Sequence, residues 1–455
     1  MEQETVIMKE KKEKEAWITK THNVSLEEVN SSIAIPKNAG FFKKLLAFMG
    51  PGSLVAVGYV DPGNWATSIA GGARFGYTLL SVILLSNLIA MFLQSLSAKL
   101  GIATGKDLAQ ATRAAVGKKT AVVLWILTEL AIIATDIAEV IGSAIALNLL
   151  FGIPLLGGVA ITTLDVLLLL LLQRKGFRII ESIVIVLMAT IFVIFAFEMA
   201  ASHPNVSALL EGYLPHAEVV TNPAMLFIAL GILGATVMPH NLYLHSSLVQ
   251  TRKYERTPKG KREAVRFAKI DSTFSLTVAF VINSMILILG AAAFHGTGLD
   301  VSEIEGAYKL LGPTLGIGLA STLFAVALLA SGQNSTITGT LSGQIVMEGF
   351  IHLRMKPWLR RVITRLLAVI PVFIVTLISG AKGTGSLLLW SQVILSLQLP
   401  FAVVPLVLFT SSKKKMGEFA NSIPVQIIAW IVTAVIIALN IFLLGYIFIT
   451  GQDLG

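Results

Sequence analysis

Cysteine is absent from this chain, which excludes disulfides, iron–sulfur clusters and thiolate metal sites. Any metal held here must be held by carboxylate, amide, carbonyl, imidazole or thioether groups. Charge is scarce too: Asp, Glu, Lys and Arg make up 13% of the residues, against 55% hydrophobic ones. No stretch is long and polar enough to hide a soluble domain, and neither a low-complexity tract nor a soluble linker interrupts the chain. His-Glu-x-x-His does not occur and the seven histidines do not cluster at ligand spacing, which argues against an intramembrane metalloenzyme. The first 45 residues or so are charged and lack an apolar core, so they are expected to form a cytosolic tail and not a signal peptide.

What remains is hydrophobic. A mean hydropathy of +0.79 over 455 residues is that of a polytopic, all-α membrane protein. Runs of roughly 20 apolar residues mark spans. Eleven are expected, at about 46–73, 77–100, 121–150, 155–173, 179–201, 222–250, 268–295, 316–349, 362–380, 385–410 and 423–449. With the amino end inside, 32 of the 35 Lys and Arg residues fall on the cytosolic side; only Arg74, Lys309 and Lys382 do not. That asymmetry is a topology signal. It accounts for the formal charge of +9 without nucleic acid, which would need a solvated domain to receive it. The expected placement is therefore the cell membrane, multi-pass, with the amino end cytosolic and the carboxyl end outside.

Two spans are broken by polar motifs. The first carries Gly58-Tyr59-Val60-Asp61-Pro62-Gly63-Asn64-Trp65, and the sixth carries Ala235-Thr236-Val237-Met238-Pro239-His240-Asn241. Proline removes a backbone donor and glycine loosens the helix, so carbonyls at the break lose their partners. Such groups are tolerated in a bilayer only when buried or lining a cavity. The breaks lie five spans apart, and an odd offset inverts their orientation. Interrupted helices at corresponding positions of two inverted five-helix halves suggest a secondary transporter of the rocking type. The expected organisation is a tail over 1–45 and one transmembrane domain over 46–449. Within it, repeat one spans about 46–201, repeat two about 222–410, and an extra helix about 423–449.

A carboxylate at mid-depth costs roughly 2.5–3.5 kcal/mol, so Asp61 needs a purpose or a partner. Asn64 supplies an amide oxygen or caps the second half-helix. Met238, next to Pro239, offers a thioether, with the Ala235 and Gly58 carbonyls one turn before the two breaks. Asp61, Asn64, Met238 and carbonyls from Ala235 or Gly58 are the candidate ligands. Sulfur adds little for hard ions, which take all-oxygen shells, and favours softer divalent metals. His240 is open to three roles: satisfied imidazole, metal ligand or proton acceptor. The last is adopted because imidazole titrates near neutral pH. The third span adds Glu129, Asp136 and Glu139, whose spacings of 7 and 3 set them on one helical stripe. Stripes of this kind serve as proton relays or as ion-pair networks. Arg360, Arg361 and Arg365, at a compatible depth, are the available counter-charges. Gln94 and Gln392 are either interhelical hydrogen-bonding groups or part of the ion path, and Gln398 is assigned to the bend at Pro400. The small-residue face around Thr336 and Gly343 reads as helix packing.

The paired motifs Asp61-Pro62-Gly63-Asn64 and Met238-Pro239-His240 resemble those of the Nramp (natural resistance-associated macrophage protein) divalent-metal transporters, of the bacterial proton-dependent manganese type. The likeness extends to Leu93-Gln94-Ser95, Thr135-Asp136-Ile137-Ala138-Glu139, the run from Ala330 to Thr336 and Ser391-Gln392-Val393. It implies a LeuT-like fold with an eleventh helix and movement of metal and proton together into the cell. It assigns metal binding to Asp61, Asn64, Met238 and the Ala235 carbonyl, with the Gly58 carbonyl and Gln392 joining in an occluded state. It further implies acid–arginine pairing that leads protons towards the cytosol. The family pattern has Ala in some members where Gly58 stands, which is expected to matter little if only the carbonyl is used. The expected cargo is Mn²⁺ or Fe²⁺, with Co²⁺, Zn²⁺ and Cd²⁺ plausible, and H⁺ as the coupled ion. No prosthetic group, no enzymatic activity and no obligate protein partner are expected, and membrane lipid is the surrounding partner. The alternative is a sodium-coupled amino-acid symporter on the same scaffold. Asp61 would repel its substrate's carboxylate, and Met238 has no use for sodium.

Overall fold

Backbone polar groups have no water to turn to inside a bilayer, so this chain closes its hydrogen bonds within helices. The computed structural model describes residues 25–36, 38–162, 164, 176–297, 304–316 and 318–451. The first 24 residues of the expected tail, most of the second half of the fourth span and Arg174 lie outside them. An amphipathic helix, α1 (Phe41–Phe48), precedes the first span, which is split into α2 (Pro51–Gly58) and α3 (Pro62–Phe75). Then come α4 (Leu80–Thr104), α5 (Leu108–Ala115), α6 (Lys118–Phe151), α7 (Leu155–Thr162) and α8 (Phe177–Ala201). The sixth span is split into α9 (Pro223–Val237) and α10 (Pro239–Leu248), and α11 (Pro258–Phe294) and α12 (Gly318–Ile351) follow. The last three are α13 (Trp358–Gly380), α14 (Gly383–Ser411) and α15 (Ile423–Thr450). Gly380, at φ +60°, turns the chain between α13 and α14.

Among the described residues, eight helices are long and apolar enough to cross a membrane, nine if one bent pair counts as a span. Neither half of the first span is long enough alone, and α12 is diluted by Ser, Thr, Asn and Gly through its middle. The expected start of the first span at 46 needs correction. Residues 46–48 belong to α1, which meets α2 at a bend of 46°. The seventh span begins ten residues earlier than expected, because Thr257 accepts from Gly260 N–H and caps a helix that extends into the basic segment after α10.

The helices sort into two packed groups. α6 packs against α12, α13 and α14, while α11 packs against α2, α3 and α4; α9 packs on both α14 and α3, and α10 on both α12 and α4, so this broken span joins the groups. The amino-terminal segment lies across both. Leu26 is buried and its N–H donates to Glu348 on α12 at 3.0 Å, and Ile33–Ala34 pairs in parallel with Arg252–Lys253 after α10.

The entry to α2 is held by buried charge. Arg252, fully buried, donates to the carbonyls of Phe48 (2.8 Å) and Met49 (2.7 Å) and pairs with Glu181 at 2.7 Å. Asp271 accepts from the N–H groups of Gly50 (3.2 Å) and Gly52 (2.7 Å), capping the half-helix from a neighbouring span. Gly50 sits at φ +135°, and a Cβ there would lie 2.4 Å from Arg252 Nη2. We expect Asp271→Ala to strand those two buried donors at about 1–3 kcal/mol each, lowering the thermal midpoint of the detergent-solubilised protein by several degrees. An unchanged midpoint would refute the capping role.

Candidate functional site

Each break builds its own half of the site. Asp61 is the N-cap of α3: its Oδ1 accepts from Asn64 N–H at 2.8 Å, and Pro62 occupies the first helical turn, where a missing N–H costs nothing. Met238 takes φ +39°, unusual for a non-glycine residue, and so ends α9 while Pro239 starts α10. The remaining backbone groups find partners on other helices. Val60 C=O accepts from Trp65 Nε1 (3.2 Å) and Ser331 Oγ (2.5 Å), and Tyr59 C=O accepts from Asn283 Nδ2 (2.7 Å).

The halves meet at Asn64. Its Nδ2 donates to Asp61 Oδ1 and to the Ala235 carbonyl, both at 2.8 Å. A positive hydrogen-bond donor thus stands where two oxygens from two spans converge. Turning the amide about its last bond would exchange nitrogen for oxygen and convert the same point into a three-oxygen cradle. Asp61 Oδ2 is buried with no partner.

Gln392 also arrives here. Its amide lies against Gly63, where a Cβ would sit 2.0 Å from Nε2, its backbone carbonyl packs on Gly234, and its Oε1 has no partner. Met238 Sδ accepts from Asn241 Nδ2 at 3.3 Å and lies 3.2 Å from where a Cβ on Gly58 would be. A methyl at position 58 would also lie 2.4 Å from Asn241 Nδ2. Gly58 therefore makes room for the Met238–Asn241 contact, so the expectation that the residue type there matters little is corrected. Asp61, Asn64, Ala235, Met238, Gly58 and Gln392 are thus gathered at the two breaks, and Asp61, Asn64, Ala235, Met238 and Gln392 are almost completely buried. Trp65, Phe195 and Phe324 cover one side with edge-to-face ring contacts of 4.6–6.2 Å. Tyr59 OH, accepting from Gln94 Nε2 at 2.9 Å, and His245 Nδ1, 3.1 Å from Gln94 Oε1, line the other.

His240 is buried two residues after Met238, with Nδ1 unpartnered. The acid stripe meets all three arginines. Arg360 grips Glu129 at 2.9 and 3.0 Å. Arg361 bridges Asp136 (2.5 Å) and Glu139 (2.9 Å), and Arg365 lies 3.5 Å from Glu139. Glu139 also accepts from Ser335 Oγ (2.9 Å) and Thr336 Oγ1 (3.0 Å). The small-residue face of α12 is therefore more than packing. Its hydroxyls hold Glu139, and Gly343 leaves space for the Arg360 guanidinium, which a Cβ would approach to 1.8 Å. Gln398, assigned to the bend at Pro400, instead donates to Thr128 on α6 at 3.3 Å.

Two broken helices meeting at a buried polar point, within paired groups of spans, define a membrane transport protein of the LeuT-like fold with two inverted five-helix repeats and an eleventh helix. Distant structures share that fold. They include Mhp1, a nucleobase-cation-symport-1 family transporter (TM-score 0.60, 15% identity, 89% of this chain and 84% of that one), and MhsT in complex with L-phenylalanine (TM-score 0.57, 15% identity, 86% and 98%). The family is defined more narrowly: the natural resistance-associated macrophage protein-like model (Nramp) matches residues 52–445, and the chain belongs to that family. A divalent metal cation transporter MntH of Listeria innocua is 67% identical over 441 residues, covering 96% of this chain and 98% of the relative. One of the same description from Mesorhizobium japonicum is 61% identical over 422 residues, covering 92% and 93%. The crystal structure of the Eremococcus coleocola manganese transporter superposes with a TM-score of 0.87 at 47% identity, covering 92% of this chain and 90% of that one.

Because Gly343 makes room for Arg360, Gly343→Val is expected to push the guanidinium off Glu129. Its effect on thermal stability should then be non-additive with Glu129→Gln, the double variant losing little more than the worse single one. Simple additivity would show that Gly343 does not act through that pair.

Proposed function

We propose that the chain imports divalent transition-metal ions, Mn²⁺ and Fe²⁺ foremost and Cd²⁺, Co²⁺ and Zn²⁺ as further cargo, together with protons and by alternating access. The observation that carries this reading is the Asn64 bridge between Asp61 and the Ala235 carbonyl, with a free carboxylate oxygen, a free amide oxygen on Gln392 and the Met238 thioether gathered at the same two breaks. One carboxylate, neutral oxygens and one sulfur make a site of moderate strength that selects borderline-soft dications and can release them. The names of the relatives point the same way. We further propose that the amino end is cytosolic, the carboxyl end extracellular, and that residues 46–449 act as one transport domain without a prosthetic group.

The energetics favour inward movement. A dication entering down 100 mV of inside-negative potential gains about 4.6 kcal/mol, and each proton adds about 1.4 kcal/mol per unit of pH difference. In our reading a cation arriving at Asp61 displaces a proton from its carboxyl. His240, with its free Nδ1, takes that proton, and the Asp136–Glu139–Arg361 cluster carries it towards Arg360 and Glu129. Three arginines against three carboxylates leave that cluster able to accept one more charge without a large net imbalance. The amino-acid symporter reading has nothing comparable in its favour, since a substrate carboxylate would face Asp61.

Uptake into proteoliposomes holding a pH-sensitive dye tests this. Asp61→Ala is expected to abolish both Mn²⁺ uptake and the accompanying acidification, and acid-stimulated uptake that survives it would end the mechanism. Even outer-shell losses cost metal sites about 10–100-fold. Met238→Ala is therefore expected to weaken Mn²⁺ and Cd²⁺ uptake by at least about tenfold and to relax rejection of Ca²⁺ and Mg²⁺.

A further inference from the structure

A cavity of about 650 Å³ opens at the end of the molecule where the amino-terminal segment, α1, the strand Arg252–Lys253 and the start of α11 come together. Its wall carries Lys44, Lys253, Lys259, Arg262 and Arg266 against two acids, Glu255 and Glu263. Part of that charge is spent. Lys44 pairs with Glu263 at 3.0 Å, and Arg262 pairs with Glu418. Lys253, Lys259 and Arg266 make no ion pair among the described residues, and Glu255 is the one acid of the wall left to face them. Arg266 is nonetheless held in place, its guanidinium 5.0 Å from the centre of the Phe41 ring. The cavity thus presents a positioned excess of positive charge to an empty volume.

The neighbouring helix says which anion has access. α1 exposes Phe42 (78%) and Leu46 (66%) while Phe48 on its other side is fully buried. An eight-residue helix with two large apolar side chains outward and Lys43 and Lys44 beside them has the make-up of one that lies in a membrane interface, apolar side towards the acyl chains. Phe41 belongs both to that helix and to the cavity wall, so with α1 in the interface the opening would face the lipid headgroups. The first 24 residues of the chain, with five Glu and five Lys, bring no net charge that would compete for it.

We propose that this cavity binds the phosphate headgroup of an anionic phospholipid. A headgroup held there ties α1 to α11 and to the strand after α10. Because the last carbonyls of α1 are gripped by Arg252 and Arg178, it also steadies the start of the broken first span.

The test reads binding without transport, so its failure is separable from that of the metal-import reading. Full-length protein is released from micelles containing phosphatidylglycerol or phosphatidylcholine and examined by native mass spectrometry. The parent should retain phosphatidylglycerol selectively. Lys253→Gln/Lys259→Gln/Arg266→Gln should lower that retention about a hundredfold, the joint effect of three basic groups at an anionic headgroup. Arg113→Gln/Lys118→Gln/Lys119→Gln, which removes the same charge elsewhere, should retain it, as should Lys253→Arg/Lys259→Arg. Equal retention by the parent and the first triple variant would overturn the proposal. Displacement of the lipid by millimolar inorganic phosphate would overturn it too, by assigning the cavity to a soluble anion.

Discussion

One amide holds the two halves of this molecule together at their weakest point. Two helices are interrupted inside a hydrocarbon layer, and the groups freed at each break have no water to turn to. Asn64 resolves part of this by donating at once to Asp61 on its own break and to Ala235 on the other. The same geometry places the amino end of α3, the positive end of its dipole, beside a carboxylate, and the carboxyl end of α9, the negative end, beside the shared point. The other freed carbonyls, those of Tyr59 and Val60, are taken up by Asn283, Ser331 and Trp65. The framework is thereby satisfied by side chains that stay in place. The groups left over, Asp61 Oδ2 and Gln392 Oε1, are those a cation could use without dismantling the fold.

The acid–arginine cluster obeys a different constraint. Arg361 and Glu139 are fully buried, and ions so placed are tolerated only when well paired and further hydrogen-bonded. Glu139 is satisfied from α12 and α13: two arginines and two hydroxyls surround it, and glycines on α12 leave the volume that guanidinium groups need. A helix that reads as a packing surface is thus also one wall of a buried polar cluster. α10, which carries His240, packs on α6, which carries Asp136 and Glu139, so the second broken span adjoins the helix of the cluster.

The parts of this arrangement visible in the sequence are those with local causes. Pro62 and Pro239 each announce a helix start, Asp61 in front of Pro62 announces a cap, and both breaks fall where these residues put them. The basic segments are equally local. What was hidden depends on partners more than 170 positions away. Nothing near Glu139 in the chain indicates that Ser335 and Thr336 complete its shell, and nothing near Gly58 shows that Met238 and Asn241 press against it. Residues 46–48 ran into the first span because α1 is apolar on one side and only a bend separates it from α2. Gln398 was assigned to Pro400 by adjacency, whereas on a helix its amide could reach across to Thr128. In each case the residue type was informative and its direction was not.

The clasp at the start of α2 gives the broken helix its mechanical meaning. α2 is eight residues long. Its first turn is held by Asp271 and, through Phe48 and Met49, by Arg252 and Glu181, while its last residue, Gly58, touches Met238. A rod that short has no interior turn that is not also an end. Its clasped first turn and the thioether at the other end are therefore only about 12 Å apart, little more than two helical turns. The proline and glycine that cost the helix its continuity at Asp61 are in this way what leave the clasp and the buried point between the two repeats at opposite ends of one short rod.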